Sequence, residues 1–154
     1  MLKIVLYEPE IPPNTGNIIR LCANAGCSLH LIEPLGFDLE DKKLRRAGLD
    51  YREFAELRLY PSLDSFVEQH DKPRMFAITT RGATPYHQVN YRAGDALLFG
   101  PENRGLPQAV LDSLGAANTI RIPMKPGSRS LNLSNATALV VYESLRQLDF
   151  PDLR

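Results

Sequence analysis

At 154 residues, with 44% hydrophobic and 23% charged content, the chain is expected to form one domain over residues 1–154, burying roughly 70% of its unfolded surface. No apolar run approaches the about 18 residues of a membrane span, and Met1–Tyr7 is too short for a signal peptide, so the expected location is the cytoplasm. A formal net charge of 0 lends no whole-chain support to nucleic-acid binding, although cations gather locally.

In chain order, Leu2–Tyr7 is a mostly apolar run suited to a strand covered on both faces. Pro9, Pro12 and Pro13 break the chain before a helix predicted over Thr15–Ala25. Cys22 and Cys27 read as buried thiols on that helix; their spacing suits neither a disulfide nor a zinc site. A short strand follows at Ser28–Ile32, then a charged helix over Leu39–Ala47. Its Lys42, Lys43, Arg45 and Arg46 form either a solvated face or a phosphate-binding patch. Leu57–Tyr60 is a candidate strand, and Ser62–His70 a helix with Ser62 as its cap. Arg74–Thr80 and Ala96–Gly100 are further strands. Pro107–Leu114 reads as a helix with proline in its first turn, Thr119–Ile122 as the last strand, and Ser134–Leu148 as the last helix.

This alternation predicts an α/β domain with a mainly parallel sheet flanked by helices. Ligands bind such sheets beyond the carboxyl ends of the strands. Polar loops fall at those ends after Tyr7, Gly100 and Ile122. In the first, Asn14 and Asn17 offer donors and acceptors and Gly16 permits close approach. Arg20, set among Ile18, Ile19 and Leu21, is either a buried ion-pair member or a fork for phosphate or carboxylate. In the second, Glu102 either pairs with Arg104 or serves a ligand amine or hydroxyl. The third, from Ile122 to Ala136, holds Ser128, Ser130, Ser134, Asn132, Asn135, Lys125 and Arg129 between a buried strand and an apolar helix. That is equipment for gripping a polar small molecule. The helix that follows, rich in apolar residues from Ala136 to Tyr142, needs covering by its own chain or by a second copy.

Other chemistries find little support. The second loop lacks the Lys and Ser/Thr of a phosphate loop, and no G-x-G-x-x-G or G-x-S-x-G run is present. His30, His70 and His87 keep no catalytic or metal-binding spacing, so no metal is expected.

Three runs together resemble the SPOUT superfamily of RNA methyltransferases, over almost the entire chain. They are Pro13-Asn14-Thr15-Gly16-Asn17-Ile18-Ile19-Arg20, Leu98-Phe99-Gly100-Pro101-Glu102-Asn103-Arg104-Gly105-Leu106-Pro107, and Ile120–Ala136. The resemblance is closest to the minimal TrmL-type branch, which methylates the ribose 2′-hydroxyl of the tRNA wobble nucleotide, cytidine or uridine. It implies a carboxyl-terminal trefoil knot, which topology rules alone would exclude. It also implies a homodimer, tRNA as substrate, and S-adenosyl-L-methionine as methyl donor, leaving S-adenosyl-L-homocysteine. By position, it assigns the cofactor to Ile78, Thr79, Thr80, Gly100, Glu102, Ile122, Met124, Ser130 and Leu131. Catalytic positions would be Asn14, Arg20, Ser130 and Asn132. Because guanidinium stays protonated, the expectation is that Arg20 orients an RNA phosphate, and that phosphate or a water accepts the 2′-hydroxyl proton. The alternatives are methylation of ribosomal RNA or another tRNA position, or a non-catalytic RNA-binding or ribosome-assembly protein of the same fold.

Overall fold

The structure, a computed structural model, describes residues 1–40, 42–46 and 56–154; the predicted helix end at Ala47 and the side chains of Lys43 and Arg45 lie outside that description. Among the described residues seven strands form one sheet: β1 (Lys3–Tyr7), β2 (Ser28–Ile32), β3 (Leu57–Tyr60), β4 (Met75–Ile78), β5 (Thr84–Pro85), β6 (Ala96–Phe99) and β7 (Thr119–Arg121). Their order is β3-β2-β1-β6-β4-β7-β5, and every pairing is parallel. The expected α/β class is the observed one.

The strands read as continuous apolar runs because both faces are buried. Ile4, Leu6, Leu97 and Phe99 point to one side, where they meet Ile18 and Ile19 of α1 (Pro12–Ala25) and Val140, Val141 and Leu145 of α5 (Leu133–Gln147). Val5, Ala77 and Leu98 point to the other, against Phe66 of α3 (Leu63–Gln69) and Leu111 of α4 (Gln108–Leu114).

Several boundaries differ from the sequence reading for local reasons. Pro12 and Pro13 begin α1 instead of preceding it, because the N–H groups they lack have no intrahelical partner in a first turn. Gly26 ends α1 in a left-handed conformation, φ 69°, so Cys27 lies beyond the helix. Both thiols are buried and free; burial pushes Cys22 well above the ordinary thiol range and Cys27 up to about 11. The charged helix shrinks to α2 (Lys42–Arg45), which anchors on a fully buried Leu44 and leaves Lys42 and Arg46 exposed. Ser62 caps α3 as expected, accepting from the Ser65 N–H at 3.1 Å, whereas Pro107 stands just before α4. Among the described residues no helix is long and apolar enough to cross a membrane.

One strand escaped the sequence altogether. β5 is only Thr84–Pro85, and it exists because Thr84 pairs with Ile120 of β7. On the other side of β7, Ile78 of β4 pairs with the same Ile120. Residues 79–83 therefore carry the chain straight over β7, from β4 on one side to β5 on the other, although parallel strands of one sheet ordinarily need a connection of about a dozen residues. Thr79 donates its N–H to the Ile120 carbonyl at 2.9 Å, and Arg121 Nη1 donates to the Gly82 and Ala83 carbonyls. A later strand lying under an earlier loop is the local geometry that a threaded carboxyl-terminal segment requires.

On the α3 side of the sheet, Ser28, His30, Tyr60 and His70 form a chain of hydrogen bonds at 2.9, 2.8 and 2.8 Å. His30 and Tyr60 are each 2% exposed. Burial, reinforced by His70, Arg58 and Lys3, pushes His30 down to about 3, so the folded ring is neutral. An unfolded histidine titrates near 6.5, and below that pH the unfolded chain binds a proton that the folded chain refuses. This contribution to stability is present above about pH 6.5 and lost on acidification, at up to about 1.4 kcal/mol per pH unit. Urea midpoints should therefore fall from pH 6.5 to 4, and His30→Gln should show a shallower fall. Equal slopes in the two proteins would remove His30 as the cause.

Candidate functional site

At the carboxyl edge of the sheet, the segments after β1, β4, β6 and β7 surround a cleft of about 620 Å³. That is within the range of small-molecule and cofactor sites. Every residue expected to hold the cofactor lines it. Ile78 ends β4, Thr79 and Thr80 follow it, and Gly100 and Glu102 follow β6. Ile122, Met124, Ser130 and Leu131 come from the long loop after β7. Leu131 is 40% exposed there, an apolar side chain held open to solvent.

The β6 loop is tight by necessity. It folds back so far that a Cβ on Gly100 would stand 2.7 Å from the Leu106 nitrogen, and the Gly105 N–H closes the turn on the Pro101 carbonyl at 2.9 Å. The β7 loop turns at Gly127, with Ser128 N–H and Oγ both donating to the Lys125 carbonyl.

One polar relay joins the three motifs. Glu102 accepts from the Glu10 N–H at 3.0 Å, the Ile11 N–H at 2.6 Å and Asn14 Nδ2 at 3.3 Å. Asn14 Oδ1 in turn accepts from Asn132 Nδ2 at 3.0 Å. Asn132 Oδ1 caps α5, accepting from the Ser134 N–H at 2.9 Å and the Asn135 N–H at 3.3 Å. Glu10 returns the contact to the β6 loop, accepting from the Asn103 N–H at 3.1 Å. Arg104 pairs with Glu8 at 3.3 Å, so the pairing with Glu102 considered from sequence does not form. The Glu102 carboxylate is committed to the β1–α1 segment instead, where exposed N–H groups at a helix start attract it. Asn14 is 7% exposed, and both ends of its amide are taken up by this relay.

Of the four residues expected at the chemistry, Asn14, Ser130 and Asn132 line the cleft. Arg20 does not; it sits half-buried on α1, outside the lining. Sequence reasoning missed Ile11, Phe99, Leu106 and Arg81, which also line the cleft. For Arg81 a signal existed: it directly follows Thr79-Thr80, which the sequence resemblance assigns to the cofactor. Ile11 lines the cleft with its backbone N–H bonded to Glu102, a contact 91 positions away in the chain. Among the described residues no group of three His, Cys, Asp or Glu side chains could hold a metal ion.

An all-parallel sheet with apolar walls, hydroxyls and an asparagine relay at its carboxyl edge defines an α/β protein with a cleft suited to a polar small molecule. The model of the SpoU rRNA Methylase family matches residues 1–142, and the chain belongs to that family. A tRNA (cytidine(34)-2'-O)-methyltransferase of Aeromonas hydrophila is 61% identical over 150 residues, covering 97% of this chain and 96% of the relative. A solved structure concerned with the 2-OH methylation of C/U34 on tRNA is 49% identical, covers 97% of each chain and superposes with a TM-score of 0.90. An AdoMet-bound rRNA methyltransferase of Sinorhizobium meliloti is 27% identical with a TM-score of 0.80; the match covers 96% of this chain and 56% of that one. The resemblance seen in the sequence thus holds at the level of family and fold.

Proposed function

We propose that this protein transfers a methyl group from S-adenosyl-L-methionine to the ribose 2′-hydroxyl of the wobble nucleotide of tRNA, cytidine 34 in the first instance. The observation that carries this reading is the 61% identity to a tRNA (cytidine(34)-2'-O)-methyltransferase across 97% of the chain, with the three motif loops meeting in one cleft. The donor set fits the cofactor. Ile78, Ile122 and Leu131 supply apolar surface for an adenine ring, while Thr79 and Ser130 supply hydroxyls for its sugar and tail. Bound there, S-adenosyl-L-methionine supplies a methyl group on a positively charged sulfur, and S-adenosyl-L-homocysteine is left after transfer.

The chain's own residues bind and position the reacting groups. The relay from Glu102 through Asn14 to Asn132 holds the β6 loop, α1 and α5 in fixed register, and a fixed frame of this kind would orient the ribose 2′-hydroxyl toward the bound donor. Arg20 forks an RNA phosphate, and that phosphate or a water takes the 2′-hydroxyl proton. Since Arg20 lies outside its own chain's cleft, this reading gives it to the cleft of a second copy in a homodimer. Exposed apolar side chains on α5 support a second copy: Leu139 and Tyr142 are 43% and 42% exposed, with Phe150 beside Tyr142. The trefoil knot and a cytoplasmic location belong to the same reading.

The test is transfer of labelled methyl from S-adenosyl-L-methionine to total tRNA lacking the modification, with the product nucleotide identified by mass spectrometry. A 2′-O-methylated pyrimidine at position 34 is expected. Label in ribosomal RNA or at another tRNA position would move the target. No transfer to any RNA, with the cofactor bound, would favour a non-catalytic RNA-binding protein of this fold.

A further inference from the structure

We infer that Arg81 is the anchor for the carboxylate of the cofactor's methionine tail, an inference that rests on the proposed use of S-adenosyl-L-methionine. Among the described residues lining the cleft, the charged side chains are Arg81, Glu102 and Arg104. Glu102 is taken up by two backbone N–H groups and Asn14, and Arg104 by Glu8. Arg81 forms no ion pair among the described residues. Its Nη1 donates to the neutral amide of Gln108 at 3.0 Å, and Gln108 Nε2 donates to Asp112 at 2.9 Å. The nearest acid in this line is therefore one side chain removed. The amide orients the guanidinium without cancelling its charge, and the Nε and Nη2 donors keep their capacity for a second partner.

The backbone beneath is equally fixed. The Arg81 N–H donates to Thr79 Oγ1 at 3.2 Å, the Gly82 N–H to the Thr79 carbonyl at 3.1 Å, and Gly82 is pressed on β7. A cation on a rigid turn, one residue beyond the Thr79-Thr80 wall, suits an anion carried by the ligand of that wall. S-adenosyl-L-methionine and S-adenosyl-L-homocysteine each carry one such group, the carboxylate, and arginine matches it with two parallel N–H···O bonds.

The ligand pair S-adenosyl-L-homocysteine and 5′-methylthioadenosine isolates this contact, because the second lacks the amino-acid tail. Calorimetric titration of wild type and Arg81→Met with both ligands is the experiment. Arg81→Met is expected to weaken S-adenosyl-L-homocysteine by about 10- to 100-fold, the range for a hydrogen bond to a charged group. Binding of 5′-methylthioadenosine should change by less than about twofold, and Arg81→Lys should fall between the two proteins. Equal loss for both ligands would overturn the inference, since it would report a damaged cleft. Unchanged S-adenosyl-L-homocysteine affinity with a raised, salt-dependent KM for tRNA would also overturn it, assigning Arg81 to an RNA phosphate. Failure of the wild type to bind S-adenosyl-L-homocysteine would instead remove the cofactor reading on which it rests.

Discussion

Arg20→Ala is expected to lower kcat for methyl transfer by about 10²-fold or more while leaving the affinity for S-adenosyl-L-homocysteine unchanged. The split follows from position. Arg20 is absent from the wall of its own chain's cleft, so removing it takes nothing from the cofactor contacts there. Arg20→Lys should recover little, because a point charge cannot reproduce a planar fork on two phosphate oxygens. Near-normal turnover of Arg20→Lys would sink the fork. If Arg20 serves a second copy, co-expression of Arg20→Ala with a cleft variant should restore activity. Asn132→Ser is suited to this, since serine keeps an acceptor for the α5 cap but breaks the bond to Asn14. In a two-fold dimer formed at random, about a quarter of the clefts would then have both groups intact. No recovery above the separate variants would place Arg20 and the cleft it serves in one chain.

Gly82→Ala is expected to cost at least about 3 kcal/mol of stability, at the upper end of what overpacking does in protein cores. A Cβ at this position would stand 2.3 Å from the Ile120 carbonyl carbon, 2.4 Å from its oxygen and 2.7 Å from the Arg121 nitrogen. All three are backbone atoms of a paired strand, so nothing flexible can yield. Relief would require lifting residues 79–83 off β7, which breaks the Thr79–Ile120 and Arg121–Gly82 hydrogen bonds and opens the wall that carries Thr79 and Arg81. Gly127→Ala is the control. Its φ of 79° imposes a left-handed strain of about 1–2 kcal/mol, but no atom lies within 4 Å of the added carbon. Urea unfolding of the two variants should separate them clearly. A Gly82→Ala variant as mild as Gly127→Ala would show that the crossing over β7 is loosely packed.

How much of this was legible follows from the range over which each feature acts. The sheet class was readable because β1 and β6 are apolar on both faces, a signature carried by Ile4, Val5 and Leu6 and by Leu97, Leu98 and Phe99 themselves. The Ser62 cap was readable because a hydroxyl and the N–H it accepts from are three residues apart. The positions that the resemblance assigns to the cofactor all line one cleft, whereas Arg20, drawn from the same motifs, does not. The Pro12–Pro13 start of α1 was misread although it is local, since proline both stops one helix and opens the next.

The sequence by itself determined the α/β class, the family and the loops that build the site. Only the tertiary structure decided that Glu102 bonds to the start of α1 and not to Arg104, that β7 lies beneath residues 79–83, and that Arg20 stands outside its own cleft. The physical reason is separation along the chain. The Glu102–Asn14 and Asn14–Asn132 bonds join residues 88 and 118 positions apart. No local propensity or periodicity records which distant donor a carboxylate will meet; that is settled when the strands take their order in the sheet.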